Sequence, residues 1–129
     1  MNRMILIETD DDLAGYVTTF FGAQYKVARL HDLEEALHSL EEDEAYLLLA
    51  DITSRSSRET ALVEEIRARF PNLRIVLTYL APPKKPAWEA CFRKNADLII
   101  RKPYGVIEID RAIRGLDDRP EAGASGGHA

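Results

Sequence analysis

Five short apolar runs alternate along this chain with five stretches whose apolar residues recur every three or four positions. The runs are Met4-Ile5-Leu6-Ile7, Tyr25 to Leu30, Ala45 to Ala50, Leu73 to Leu77 and Leu98-Ile99-Ile100. The stripes between them are Leu13, Tyr16, Val17 and Phe20, then Leu33, Ala36, Leu37 and Leu40, then Leu62, Val63, Ile66 and Phe70. Trp88, Cys91 and Phe92 mark a fourth, and Val106, Ile109, Ile113 and Leu116 a fifth. A run that is apolar throughout suits a strand buried on both faces, whereas three-and-four spacing suits a helix with one buried face. Strict alternation of the two predicts a parallel sheet with helices on both sides and right-handed crossovers.

The doubly wound, flavodoxin-like α/β arrangement with strand order 2-1-3-4-5 and five helices is the predicted architecture. The run at Tyr25 is the most polar and is assigned to an edge. Asp10, Asp11 and Asp12 favour a helix start, Asp32 and Ser56 have Glu35 and Glu59 three residues on, and Gly22 and Asn95 are expected to end helices. One domain is expected over residues 1–118. From 119 to 129 the text turns to Pro, Gly, Ala and Ser without pattern and is expected to be a disordered tail. At 129 residues, 46% apolar and 30% charged, the chain is long enough to bury one core. A formal net charge of −5 speaks against nucleic acid or an anionic membrane as partner. The single cysteine, Cys91, excludes an internal disulfide, and no apolar run reaches the roughly 18–20 residues of a membrane span. A cytoplasmic protein is expected.

Polar residues punctuate the strand ends: Glu8, Thr9 and Asp10 after the first strand, Asp51 after the third, Thr78 after the fourth and Lys102 after the fifth. In a parallel sheet these ends share one edge, where open α/β sheets build their sites. Such a set suits phosphoryl transfer to a carboxylate. Asp51 would be the nucleophile. Neighbouring acids would hold a divalent cation, Mg2+, which prefers oxygen ligands. Lys102 would pair with carboxylate or phosphoryl oxygens, and the Thr78 hydroxyl would bond a phosphoryl oxygen. The bland alternatives are capping for Asp10, Asp11 and Asp12, an ordinary strand residue for Thr78 and a surface lysine for Lys102. His31, His38 and His128 read as solvated side chains.

The succession Ile5-Leu6-Ile7-Glu8-Thr9-Asp10-Asp11-Asp12-Leu13, Leu47-Leu48-Leu49-Ala50-Asp51, Ile75-Val76-Leu77-Thr78 and Ala96-Asp97 through Lys102-Pro103-Tyr104 resembles a response-regulator receiver domain, from Arg3 to Leu116. The resemblance implies a stand-alone signalling module that takes a phosphoryl group on Asp51 from a sensor histidine kinase or phosphotransfer protein. It implies an acceptor rather than a turnover enzyme. It puts Lys102 before a cis bond to Pro103, and implies metal ligation by Glu8, Asp10, Asp51 and the Thr53 carbonyl. A partner or a second copy would be met on the face made by the fourth helix, fifth strand and fifth helix, with Trp88 and Tyr104 on it. The sequence departs from the family at Thr9, where an acid is usual, and in the loop Thr53 to Arg58, which lacks the usual proline and glycine. It departs again at Tyr79, usually a small residue, and at Ile99, usually aromatic. These departures motivate an alternative: a pseudo-receiver used as a phosphorylation-independent interaction or dimerisation domain. A flavin- or nucleotide-binding domain is disfavoured by five successive residues, Glu8 to Asp12, where a glycine-rich phosphate loop would stand.

Overall fold

The computed structural model describes residues 1–52, 56–80 and 85–117. The elements run β1 (Asn2–Ile7), α1 (Asp11–Phe21), β2 (Tyr25–Leu30), α2 (Leu33–Glu42), β3 (Leu47–Asp51), α3 (Ser57–Arg69), β4 (Arg74–Tyr79), α4 (Pro86–Asn95), β5 (Leu98–Arg101) and α5 (Val106–Asp117). All strand pairs are parallel and the order is β2-β1-β3-β4-β5, as the alternation predicts. No described helix is long and apolar enough to cross a membrane. The expected tail lies outside the described residues.

Strand parity divides the core into two layers. Ile5, Ile7, Leu48, Ala50, Ile75 and Leu77 face the layer shared with Ala36, Val63, Ile66 and Phe92 of α2, α3 and α4. Met4, Leu6, Leu47, Leu49 and Val76 face the layer shared with Val17 and Phe21 of α1 and with Ile109 and Ile113 of α5. β3 is buried through Leu47, Leu48, Leu49 and Ala50, so its apolar run serves both layers at once.

Two local expectations are corrected. The buried face of α1 is Ala14, Val17 and Phe21, while Tyr16 is 71% exposed. Two overlapping stripes are present in that sequence, and the one that keeps the Tyr16 hydroxyl in water while burying Phe21 is adopted. Asn95 is the last residue of α4 rather than its cap; its side-chain amide donates back to the Cys91 carbonyl at 2.8 Å, and Ala96 follows as the cap. Glu35 accepts from the His31 backbone at 2.8 Å, while the Asp32 side chain caps α2 through the Glu35 N–H at 2.9 Å. Gly22 does end α1, with ordinary right-handed dihedrals.

Candidate functional site

The carboxyl ends of β1, β3, β4 and β5 deliver one polar residue each to the same spot. Register explains why. Leu6 pairs with Leu49 and Leu49 with Val76, all pointing toward α1 and α5. Two residues further along each strand, on the same face, stand Glu8, Asp51 and Thr78, with Asp51 and Thr78 directly paired. Ile100 is the β5 partner of Thr78, and Lys102 lies two residues beyond it on the same parity. The alternation that fills this core layer with apolar side chains therefore ends in a row of polar ones.

Thr78, 1% exposed, donates its hydroxyl to Asp51 Oδ1 at 2.9 Å. The Lys102 ammonium lies 3.3 Å from that same oxygen. It lies 3.0 Å from each oxygen of Glu8, whose side chain is 1% exposed. The Asp51 side chain keeps 9% exposure and Lys102 14%. Burial works against the Lys102 charge, but the Glu8 hydrogen bond and the Asp51 and Glu8 charges outweigh it and hold its pKa above the ordinary 10.5. The Lys102–Pro103 bond is cis, as the resemblance implies. Tyr104, two residues on, is half-buried against the α1/α5 layer, and burial followed by the Glu8 and Asp51 charges pushes its phenol pKa up.

The other acids near this spot are engaged elsewhere. Asp10 is the N-cap of α1, its side chain accepting from Leu13 N at 3.1 Å while its own N–H donates to Glu8 Oε2 at 3.0 Å. Asp11 is bound by Arg29 Nη2 at 2.9 Å. That same guanidinium donates to the Glu8 carbonyl at 2.6 and 3.1 Å. Sequence reasoning missed Arg29; its alternation on a polar edge strand, facing the acidic turn after β1, is the signal that would have found it. Thr9 is exposed. Thr53 lies outside the described residues. Of the metal-ligand set expected from the sequence, Glu8 and Asp51 come together and Asp10 does not join them. Among the described residues no group of three or more His, Cys, Asp or Glu is placed to hold a metal ion. Mg2+ asks for about six oxygens in a near-octahedral shell. Such an ion usually keeps several waters and takes one or two carboxylates, so Glu8 and Asp51 could hold it where Lys102 gave way.

No family model matches the chain, and no curated protein matches it. Solved structures do. A CheY-like response regulator receiver domain protein from Methanospirillum hungatei aligns over 92% of this chain and 94% of its own, with TM-score 0.79 and 18% identity. An orphan response regulator of H. pylori aligns over 88% and 94%, with TM-score 0.73 and 18% identity. A response regulator protein of Thermotoga maritima, solved in complex with Mg(2+)-BeF, aligns over 90% and 99%, with TM-score 0.70 and 17% identity. With its strand order, its helix placement and these likenesses over nearly the whole described chain, this protein has the fold of a CheY-like response-regulator receiver domain.

Proposed function

We propose that this chain is a receiver-type signalling module in which Asp51 accepts a phosphoryl group from a histidine of a sensor kinase or phosphotransfer protein. One observation carries the reading: a single carboxylate oxygen, Asp51 Oδ1, receives both the Thr78 hydroxyl at 2.9 Å and the Lys102 ammonium at 3.3 Å. These two groups fix the carboxylate through Oδ1, and Oδ2 would be the attacking atom. They are also the donor and the cation that a phosphoryl group attached there would need. The protein is an acceptor that carries the group, and its output is conformational.

Added negative charge at Asp51 competes with Glu8 for Lys102 and with the existing bond for the Thr78 hydroxyl. Both residues belong to β4 and the end of β5, so the population of conformers shifts beside α4 and α5. A partner protein or a second copy reads that face. The test is incubation with acetyl phosphate or phosphoramidate, with Mg2+ and with chelator in parallel, followed by intact mass. The expected product carries one acid-stable, base-labile phosphoryl group that is absent from Asp51→Asn. Labelling that persists in Asp51→Asn removes Asp51 from the role, and a wild-type chain that stays unlabelled in every condition favours a phosphorylation-independent interaction domain.

A further inference from the structure

Arg29 is the β2 member of the row formed by Leu6, Leu49 and Val76, since it pairs with Leu6. Its side chain therefore leaves the sheet on the face of Glu8. Glu8 follows the last residue of β1, so its carbonyl lies past the strand ladder. Arg29 supplies the donors that the ladder does not: Nε at 3.1 Å and Nη2 at 2.6 Å both reach that one oxygen. Nη2 also donates to Asp11 Oδ1 at 2.9 Å, so one planar group spans the turn from Glu8 to the start of α1. Inside that span the Asp10 N–H donates to Glu8 Oε2 at 3.0 Å, and Asp10 Oδ1 accepts from Leu13 N at 3.1 Å.

The turn bears on the site because Glu8 holds the site's cation. Its carboxylate takes the Lys102 ammonium at 3.0 Å on each oxygen, and that ammonium lies 3.3 Å from Asp51 Oδ1. A chain of contacts thus runs from Arg29 through the main chain and carboxylate of Glu8 to Lys102 and Asp51. The ion pair with Asp11 does not account for Arg29 by itself: the Asp11 side chain is 89% exposed, and exposed pairs contribute little. Bonds from a guanidinium to a carbonyl are charge-assisted, and two on one oxygen hold the peptide plane in place.

We propose that Arg29 is a positioning residue for phosphoryl transfer: its grip on the Glu8 carbonyl sets the turn after β1, and that turn keeps the Glu8 carboxylate where it seats Lys102 against Asp51. This rests on Asp51 being the acceptor. Arg29 acts through Glu8 and does not touch the transferring group. With phosphoramidate as donor, an Asp51 oxygen forms the P–O bond as the P–N bond breaks. The protonated donor nitrogen leaves as ammonia with the electron pair of that bond.

The experiment follows phosphoryl uptake from phosphoramidate by intact mass over a range of donor concentrations, with millimolar Mg2+ throughout. It compares the unsubstituted protein with Arg29→Gln, Arg29→Lys and Asp11→Asn, and records the side-chain ammonium resonance of Lys102 in each before donor is added. Arg29 lies on an edge strand with its side chain 40% exposed, so its replacement spares both core layers. Arg29→Gln and Arg29→Lys are both expected to lower the limiting rate about tenfold, with the half-saturating donor concentration unchanged and the Lys102 signal shifted. Lysine keeps the charge but loses the two-pronged contact, so it does not rescue. Asp11→Asn removes the ion pair and spares the carbonyl contacts, and its rate is expected within about twofold of the unsubstituted protein. Full rescue by Arg29→Lys assigns the effect to charge alone, and an equal loss in Asp11→Asn assigns it to the start of α1; either overturns the inference. So does an Arg29→Gln that keeps its rate, or one that slows while its Lys102 signal stays in place. Those outcomes leave Asp51 as acceptor. No uptake by the unsubstituted protein overturns the acceptor reading and the inference with it.

Discussion

The two edges of the sheet handle charge in opposite ways. At the edge where the strands begin, Arg67 donates to the carbonyls of Asn95 at 2.9 Å, Pro71 at 3.1 Å and Leu73 at 2.9 Å, and to Asp97 Oδ2 at 2.7 Å. Asp97 accepts in turn from Ile75 N at 2.8 Å, so α3, α4 and β4 are tied together. Arg3 does the same for α2, reaching Ser39 Oγ at 2.7 Å and the Ser39, Asp43 and Glu44 carbonyls. Each of these two guanidiniums makes four hydrogen bonds with its five N–H groups. At the edge where the strands end, one ammonium serves two carboxylates, and those carboxylates repel each other across it. In the first arrangement nearly every donor is matched. The second is one positive charge short, which is the condition in which adding or removing a charge moves something.

The sharpest way to break this contrast is Lys102→Met. It leaves the buried Glu8 carboxylate with no countercharge and is expected to cost about 3–5 kcal/mol in urea unfolding. Combining it with Glu8→Gln is expected to recover most of that loss, because the charge that needed a partner has gone. Arg67→Ala is expected to cost about 2–3 kcal/mol through carbonyls left unpaired, yet to leave phosphoryl uptake at Asp51 unchanged. Equal damage to uptake would mean that the two edges are not separable. Asp51→Asn is expected to act with the opposite sign, stabilising the fold by about 1 kcal/mol, since the amide still accepts from Thr78 and the repulsion with Glu8 is gone. A destabilised Asp51→Asn would show that the ending edge is as well matched as the other.

The smallest effect concerns alkaline pH. Tyr46 donates its hydroxyl to Asp117, and burial, then that bond, then the Asp117 charge push its pKa from 10.0 to about 12. A folded-state pKa raised above the unfolded one contributes stability that is complete below pH 10 and is lost as pH climbs through about 12. Lys102, raised above 10.5, has the same sign: its contribution is whole below that value and is lost as pH rises past its folded pKa. Tyr46→Phe is expected to flatten the fall in unfolding free energy between pH 10 and about 12 without touching uptake at neutral pH.

What the sequence shows and what it hides follow from range. β3 and its terminal Asp51 are legible because a buried parallel strand must be apolar until it emerges, and Thr78 and Lys102 follow from the same rule on β4 and β5. Asp32 and Ser56 are legible as caps because the cap and the N–H it serves are three residues apart. The turn after β1 is harder. Asp10, like Asp32, is a cap three residues from the N–H it serves, but nothing local says that Glu8 pairs with Lys102 and Asp11 meets Arg29. Those outcomes depend on β2 and β5, 18 to 94 residues away in sequence. The buried stripe of α1 is hidden for a related reason: apolar residues lie on two adjacent faces, and only packing against β1 and α5 chooses between them.

The parity shared by Leu6 and Glu8, by Leu49 and Asp51, and by Val76 and Thr78 has a consequence for how this protein can be altered. Inserting or deleting a single residue within β1, β3 or β4 would carry the polar terminus to the opposite side of the sheet and turn leucines out of their layer in the same stroke. Length changes of that kind cannot retune the pocket while sparing the scaffold; only exchange of side chains in place can.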